Sequence, residues 1–230
     1  MRQYKHLFFD LDRTLYDFDA NNRDTLSRLF REFNFSDNGN IDFDTFMEVY
    51  RPINLALWEK YKRQEISKET LNLRRFADTL KACGLNEEVA GDFAGKYLDI
   101  SPSQKRLLPG TVTTLQYLSE SYDLHIITNG FEEVQYPKMA RCGLMPFFRH
   151  IITSEKAGAQ KPAPEIFEYA LNLTGASPEN SLMIGDDPVA DIEGAFRQGM
   201  DQVWLSEHDE VCTVTPTYRI AALKELISIL

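Results

Sequence analysis

The chain has 230 residues, 43% of them hydrophobic and 26% charged, with a formal net charge of −10. These are the proportions of an ordinary globular protein, long enough for one large domain or two small ones. The acidic balance argues against a nucleic-acid polymer or an anionic membrane as partner, because no basic patch is available to neutralise phosphates. A small phosphorylated ligand stays open if local positive groups or a metal supply the attraction. No apolar run approaches the roughly 18 residues of a membrane span, and Met1-Arg2-Gln3-Tyr4-Lys5 lacks the apolar core of a signal peptide. Cys83, Cys142 and Cys212 are sparse, odd in number and contain no Cys-x-x-Cys pair. They fit reduced thiols and a cytoplasmic location, not a disulfide framework or a zinc site.

In chain order, the apolar run Leu7-Phe8-Phe9 predicts a short buried strand that ends at Asp10-Leu11-Asp12. Helical texture then runs from residue 16 to residue 105. Phe46, Val49, Ile53 and Leu57 recur at helical spacing, as do Leu73, Phe76, Ala77 and Leu80, and 21–32 and 87–98 are further helix candidates. Trp58 and Tyr61, on one of these amphipathic helices, are expected in its core. The stretch Asn38-Gly39-Asn40-Ile41-Asp42-Phe43 has the look of a calcium-binding EF loop. Aligning Gly39 with that loop's glycine puts Asn34 first and Thr45 last, where a bidentate Glu is needed. The stretch therefore predicts only a turn before a helix.

From Pro109 onward strands and helices alternate. Strands are predicted at 123–128, 149–153, 181–184 and 202–205. Helices are predicted at 111–120, 132–142 and 164–173, around Val189, Ile192 and Phe196, and at 220–230. Such alternation means a parallel sheet covered on both faces, an α/β fold.

The strand ends carry the chemistry. Asp10 and Asp12 fall at the carboxyl end of the first strand, the edge where open α/β sheets place ligands. Two carboxylates so close repel each other unless a cation or shared proton neutralises them; in isolation the pair reads as a solvated turn. Thr128-Asn129-Gly130 ends another strand: a Thr hydroxyl with the turn's backbone N–H groups would make a neutral oxyanion cradle, and on its own the stretch reads equally as a simple turn. Lys161, beside Pro162 and Pro164, is a candidate fixed ammonium for phosphate charge. Gly185-Asp186-Asp187-Pro188 ends a fourth strand: Asp186 is available as a hard oxygen ligand, and Asp187-Pro188 has the form of a helix N-cap followed by proline. Asp191 is either a carboxylate that orients this group or a helix-surface charge. His6, His125, His150 and His208 show no metal-ligand spacing, and there is no Gly-x-Ser-x-Gly elbow or Walker loop.

Together, Asp10-Leu11-Asp12-Arg13-Thr14-Leu15, Thr128-Asn129-Gly130, Lys161-Pro162 and Gly185-Asp186-Asp187 with Asp191 resemble, in order and spacing, the four motifs of the haloacid dehalogenase superfamily. The resemblance implies a Rossmann-like three-layer core over 1–15 and 106–230, with an inserted α-helical (C1) cap over 16–105. It also implies a Mg²⁺-dependent phosphatase acting on small phosphate monoesters. In that scheme Asp10 is the nucleophile and Asp12 the acid/base. Thr128, Asn129, Gly130 and Lys161 bind phosphate, and Asp10, the backbone carbonyl of Asp12 and Asp186 hold the metal, with Asp187 and Asp191 behind them. The second Asp sets the chain apart from the hydrolytic dehalogenases, whose leaving group needs no proton. Around its motifs the chain looks most like the house-cleaning 5′-nucleotidases. Alternatives within the fold are a phosphoglycolate or sugar-phosphate phosphatase or a phosphomutase, and in another class a non-catalytic phosphoacceptor domain. In the family the residue after the second Asp is often Gly, Asn or Asp; here it is Arg13, so the resemblance alone does not define that turn.

Overall fold

The computed structural model describes residues 3–36, 41–206 and 211–230. Residues 37–40, which hold the predicted polar turn and the glycine of the EF-like stretch, and His208 lie outside the described residues. The chain forms two units, one of residues up to Phe18 together with Lys105–Leu230, the other Asp19–Gln104.

The first unit is built on six parallel strands: β1 (His6–Phe9), β2 (Asp123–Thr128), β3 (Phe148–Thr153), β4 (Ser181–Gly185), β5 (Asp201–Leu205) and β6 (Tyr218–Ile220). Their spatial order is β3-β2-β1-β4-β5-β6. β1 has only four residues, all buried, and Phe8 lies opposite His125 on one side and Met183 on the other. Strands covered on both faces need apolar side chains at successive positions, hence the near-continuous apolar runs. Alternation sends Leu7 and Phe9 to one face with Ile126, Ile184 and Val203. Phe8 goes to the other, with Ile127, Ile152 and Met183 against Phe167 of the helix Pro164–Thr174. The strand order reverses at β1, so the crevice for a ligand opens beyond its carboxyl end.

Two local predictions need correction. Ile220 does not begin the closing helix. It ends β6, pairing with Leu205 while the Arg219 guanidinium lies 4.7 Å from the Trp204 ring centroid, and the terminal helix is confined to Leu226–Ile229. A strand of three residues is too short to show a period. After β4, Pro188–Glu193 is a π-helical turn. Of the three apolar residues read on this helix, Val189 and Phe196 are exposed and Ile192 is buried, together with Asp191 and Ala195.

The second unit is helical, with helices Phe43–Lys62, Lys68–Ala82 and Ala90–Ile100 and most of Phe18–Glu32. Asp42 and Ser67 cap two of them, accepting from the N–H groups of Thr45 and Thr70 at 2.8 and 3.2 Å. Its core is aromatic: Tyr50 stacks on Phe46 and Phe76, and Phe76 packs on Phe93 at 5.0 Å between centroids. Trp58 and Tyr61, expected in that core, are half-buried outside it and meet edge-to-face at 5.7 Å. Among the described residues, no helix is long and apolar enough to cross a membrane.

Three histidines line the first unit's sheet. His125 on β2 stacks between His6 on β1 and His150 on β3, with centroids 5.5 and 5.4 Å away, and Nδ1 of His6 lies 3.2 Å from Nε2 of His125. Burial, reinforced by the charges of His6, His150 and Arg149, drives the His125 pKa down to about 3. His6 is also lowered by burial, against the pull of Asp123. A folded pKa below the unfolded value of about 6.5 means that this stability is fully present above pH 6.5 and lost as pH falls toward 3. His125→Phe should therefore reduce the acid sensitivity of the fold by about 1.4 kcal/mol at pH 5.5. Urea unfolding of both proteins at pH 7.5 and 5.5 checks this; an equal acid loss in the variant refutes it.

Candidate active site

Asp10 follows β1 directly. Its N–H still donates to the Ile184 carbonyl of β4 at 2.9 Å, so the sheet register fixes where its buried side chain stands. The Lys161 ammonium, also buried, donates to Asp10 Oδ1 and Asp191 Oδ1, each at 2.6 Å, and to the Ile127 carbonyl of β2 at 2.8 Å. All three of its protons are used. Asn129 brings the lysine there: its amide donates to the Lys161 carbonyl at 2.9 Å and its side-chain oxygen accepts the Lys161 N–H at 2.8 Å. The Asn129 side chain thus clamps the lysine loop to the end of β2.

Asp186 at the end of β4 accepts from the Thr14 hydroxyl at 3.2 Å, and its carbonyl accepts from Trp204 Nε1 at 2.9 Å. Asp191 is no surface charge. It is 1% exposed, and its Oδ2 accepts the Asp187 N–H at 3.1 Å. Asp187 itself caps the π-helical turn, accepting from the N–H groups of Val189 and Ala190, both at 2.9 Å. Gly185 makes this crossing possible, since a Cβ there would lie 2.2 Å from Asp191 Oδ2.

Carboxylate oxygens of Asp10, Asp186 and Asp191 lie within 4.8 Å of one another. Three negative charges against the one positive charge of Lys161 leave two uncompensated. Burial pushes the Asp10 carboxyl up to about 7; Lys161 opposes this, and Asp191 and Asp12 add to it. Burial likewise raises Asp186 and Asp191, Asp10 adding to the shift of Asp186 while Lys161 restrains that of Asp191. Burial alone would lower the Lys161 ammonium, but Asp10 and Asp191 more than offset it and hold it above its usual range. Hard oxygen donors with surplus negative charge suit a divalent cation such as Mg²⁺.

The side chain of Asp12 stands apart from this group. Its Oδ1 accepts from Lys138 Nζ at 2.6 Å and its Oδ2 from Gln135 Nε2 at 2.7 Å. The same Gln135 amide donates to Thr128 Oγ1 at 2.9 Å, and the Gly130 N–H donates to that hydroxyl at 3.1 Å. One member of the expected cradle, the Gly130 amide, is therefore already engaged. Arg13 has φ 65°, which accounts for the small residues common at that position in the resembled motif. Its N–H donates to the Tyr16 carbonyl at 2.8 Å, and its guanidinium lies 4.7 Å from the Phe18 ring centroid.

Gln135, Lys138 and Trp204 are contacts the sequence motifs do not point to, and Thr14 lies in the first motif with no role read for it there. A signal for the first two exists: polar residues three apart share the buried face of the helix Glu132–Arg141 with Met139.

Residues 4–199 match the haloacid dehalogenase-like hydrolase family. A pyrimidine 5′-nucleotidase of Streptococcus pneumoniae is 35% identical over 232 residues, covering 99% of this chain and 95% of that protein. A glyceraldehyde 3-phosphate phosphatase of Methanothermobacter thermautotrophicus is 31% identical, covering 97% and 99%. The magnesium-bound crystal structure of the putative HAD-hydrolase YfnB of Bacillus subtilis, 32% identical, superposes with a TM-score of 0.90 over 99% of both chains. With a family match over most of its length and these full-length relatives, the chain belongs to the haloacid dehalogenase-like hydrolases.

Proposed function

We propose that the protein is a Mg²⁺-dependent phosphatase that hydrolyses a nucleoside 5′-monophosphate through an aspartyl-phosphate on Asp10. The observation that carries this reading is the buried Lys161 ammonium between Asp10 and Asp191, with Asp186 beside them. Asp10, Asp186 and the main-chain carbonyl of Asp12 would hold Mg²⁺, which would supply the positive charge that keeps Asp10 ionised beside a dianionic ester.

In the first step an Asp10 carboxylate oxygen bonds to phosphorus as the ester P–O bond breaks, and Asp12 gives its proton to the departing alkoxide. In the second, Asp12 takes a proton from water. The water oxygen attacks phosphorus, inorganic phosphate leaves and the Asp10 carboxylate returns. The positive charge of Lys161, the Thr128 hydroxyl and the Asn129 end of the turn stabilise the non-bridging oxygens, the Gly130 N–H being engaged by Thr128, and Lys161 lies 2.6 Å from the attacking carboxylate. Asp191 fixes Lys161, and Asp187 holds the turn that carries Asp191.

In this reading the helical unit corresponds to the inserted cap of the family. A nucleotide is favoured by the 35% identity to the streptococcal nucleotidase. A small sugar-type phosphate is the second reading, favoured by the archaeal relative at 31% identity. Turnover of a panel of phosphate monoesters with and without Mg²⁺ decides between them. UMP and dTMP well ahead of glyceraldehyde 3-phosphate and phosphoglycolate supports the first reading; the reverse order supports the second. A stable phosphoryl group on Asp10 without turnover would mark a phosphoacceptor domain and refute both.

Asp10→Asn should lower turnover by at least roughly 10³-fold, measured as phosphate release on the best ester; an active variant removes Asp10 as nucleophile. Asp186→Asn removes one of the clustered carboxylates. In metal-free buffer it should raise the melting temperature, by about 2–4 °C for each kcal/mol of repulsion relieved, while the upward shift that Mg²⁺ gives the wild type is lost. An undiminished Mg²⁺ shift in the variant excludes Asp186 as a ligand.

A further inference from the structure

We propose that Gln135 and Lys138 are positioning residues that fix the carboxylate of Asp12 for proton transfer and tie it to the phosphate cradle. The inference rests on the phosphatase reading and adds to it two residues on the helix Glu132–Arg141. That helix turns its 135/138/139 side inward, where a helix packed on a sheet normally carries apolar side chains. Here two of the three are polar: Gln135 is 1% exposed and Lys138 is 4% exposed. A lysine is almost never fully buried unless it is paired, and its partner here is Asp12, at 2.6 Å. Gln135 spends its amide on Asp12 and Thr128 and leaves its own Oε1 buried without a partner. Stability alone does not account for this placement, because an unsatisfied buried oxygen and a desolvated ammonium both work against folding.

The geometry suits a proton carrier. One donor meets each oxygen of Asp12, from one helix, three residues apart. The two contacts fix the plane and rotamer of the carboxylate while leaving each oxygen a second lone pair for the moving proton. The Lys138 ammonium also lies 4.5 Å from the ring centroid of buried Tyr16, so it has little room to swing away. Gly130 is the matching concession at the end of β2: a Cβ there would lie 1.8 Å from Gln135 Nε2. A single amide thus bridges the acid/base to the hydroxyl that cradles phosphate, so Asp12 and Thr128 keep one spacing.

The test uses leaving groups. An alkoxide needs the proton of Asp12 as the P–O bond breaks, whereas p-nitrophenolate is stable without it, so misplacing Asp12 penalises alkyl esters selectively. General acid catalysis contributes about 10²–10⁴-fold. In Lys138→Met and Gln135→Leu, the ratio of kcat/KM for the best alkyl ester of the panel to that for p-nitrophenyl phosphate should fall about 10-fold to 100-fold. Asp12→Asn should shift the ratio in the same direction, and Lys138→Arg, which keeps a cationic donor, should recover part of it. A loss equal on both esters, or an unaltered ratio, overturns the positioning role while leaving the phosphatase reading intact. A wild-type protein that hydrolyses neither ester refutes the phosphatase reading itself. If Lys138→Met fails to fold, Gln135→Leu and Lys138→Arg decide by the same ratio.

Discussion

A single ammonium set among three carboxylates, Lys161 with Asp10, Asp186 and Asp191, is the constraint on which the rest of the first unit depends. Buried ion pairs are poor sources of stability, because removing two charges from water costs as much as their attraction returns. Here the balance is worse, since the positive charge is outnumbered. Burial forces the carboxyl groups toward higher pKa, Asp10 to about 7, while the same carboxylates hold Lys161 charged. In the proposed function a cation completes the cluster and offsets its surplus negative charge. Perturbed carboxylates gathered at a sheet edge make this cluster a functional-site candidate.

The backbone of the first unit delivers that cluster with little tolerance. Asp10 is fixed by the pairing of β1 with β4, Lys161 by the two-point grip of Asn129, and Asp191 by a π-helical turn crossing Gly185. A regular α-helical turn would present residues 189, 192 and 196 inward. The widened turn turns Asp191 in instead, against the lysine. The left-handed Arg13 belongs to the same tightness: a sharp turn after Asp12 is kept even though an L side chain there costs about 1–2 kcal/mol.

Asp12 has a different electrostatic setting from Asp10, although two residues separate them. Asp10 shares the lysine with Asp191, while Asp12 has a lysine and an amide of its own. The helical unit has a core of its own, rich in aromatic side chains.

Much of the fold was legible in the sequence because it is written in local patterns. The apolar runs at 7–9, 124–127 and 181–184 need no partner to be recognised as buried strands, and their polar endings, Asp10, Thr128 and Asp186, follow from where each run stops. Lys161 was legible as a candidate from the stiff proline-rich loop around it. Only the tertiary structure could decide the pairings. That Lys161 serves Asp10 and Asp191 together, that the Asn129 side chain holds backbone and Gly130 already spends its N–H on Thr128, and that Gln135 and Lys138 belong to Asp12 are contacts between residues up to 151 positions apart. Short-range periodicity also misplaced Ile220, Val189 and Phe196, since a three-residue edge strand and a π turn have no period of their own. Residue type and spacing determined which groups reach the sheet edge. Only the packing of strand ends and helix starts there decided which carboxylate meets which cation, because that choice depends on distances in space that no local pattern encodes.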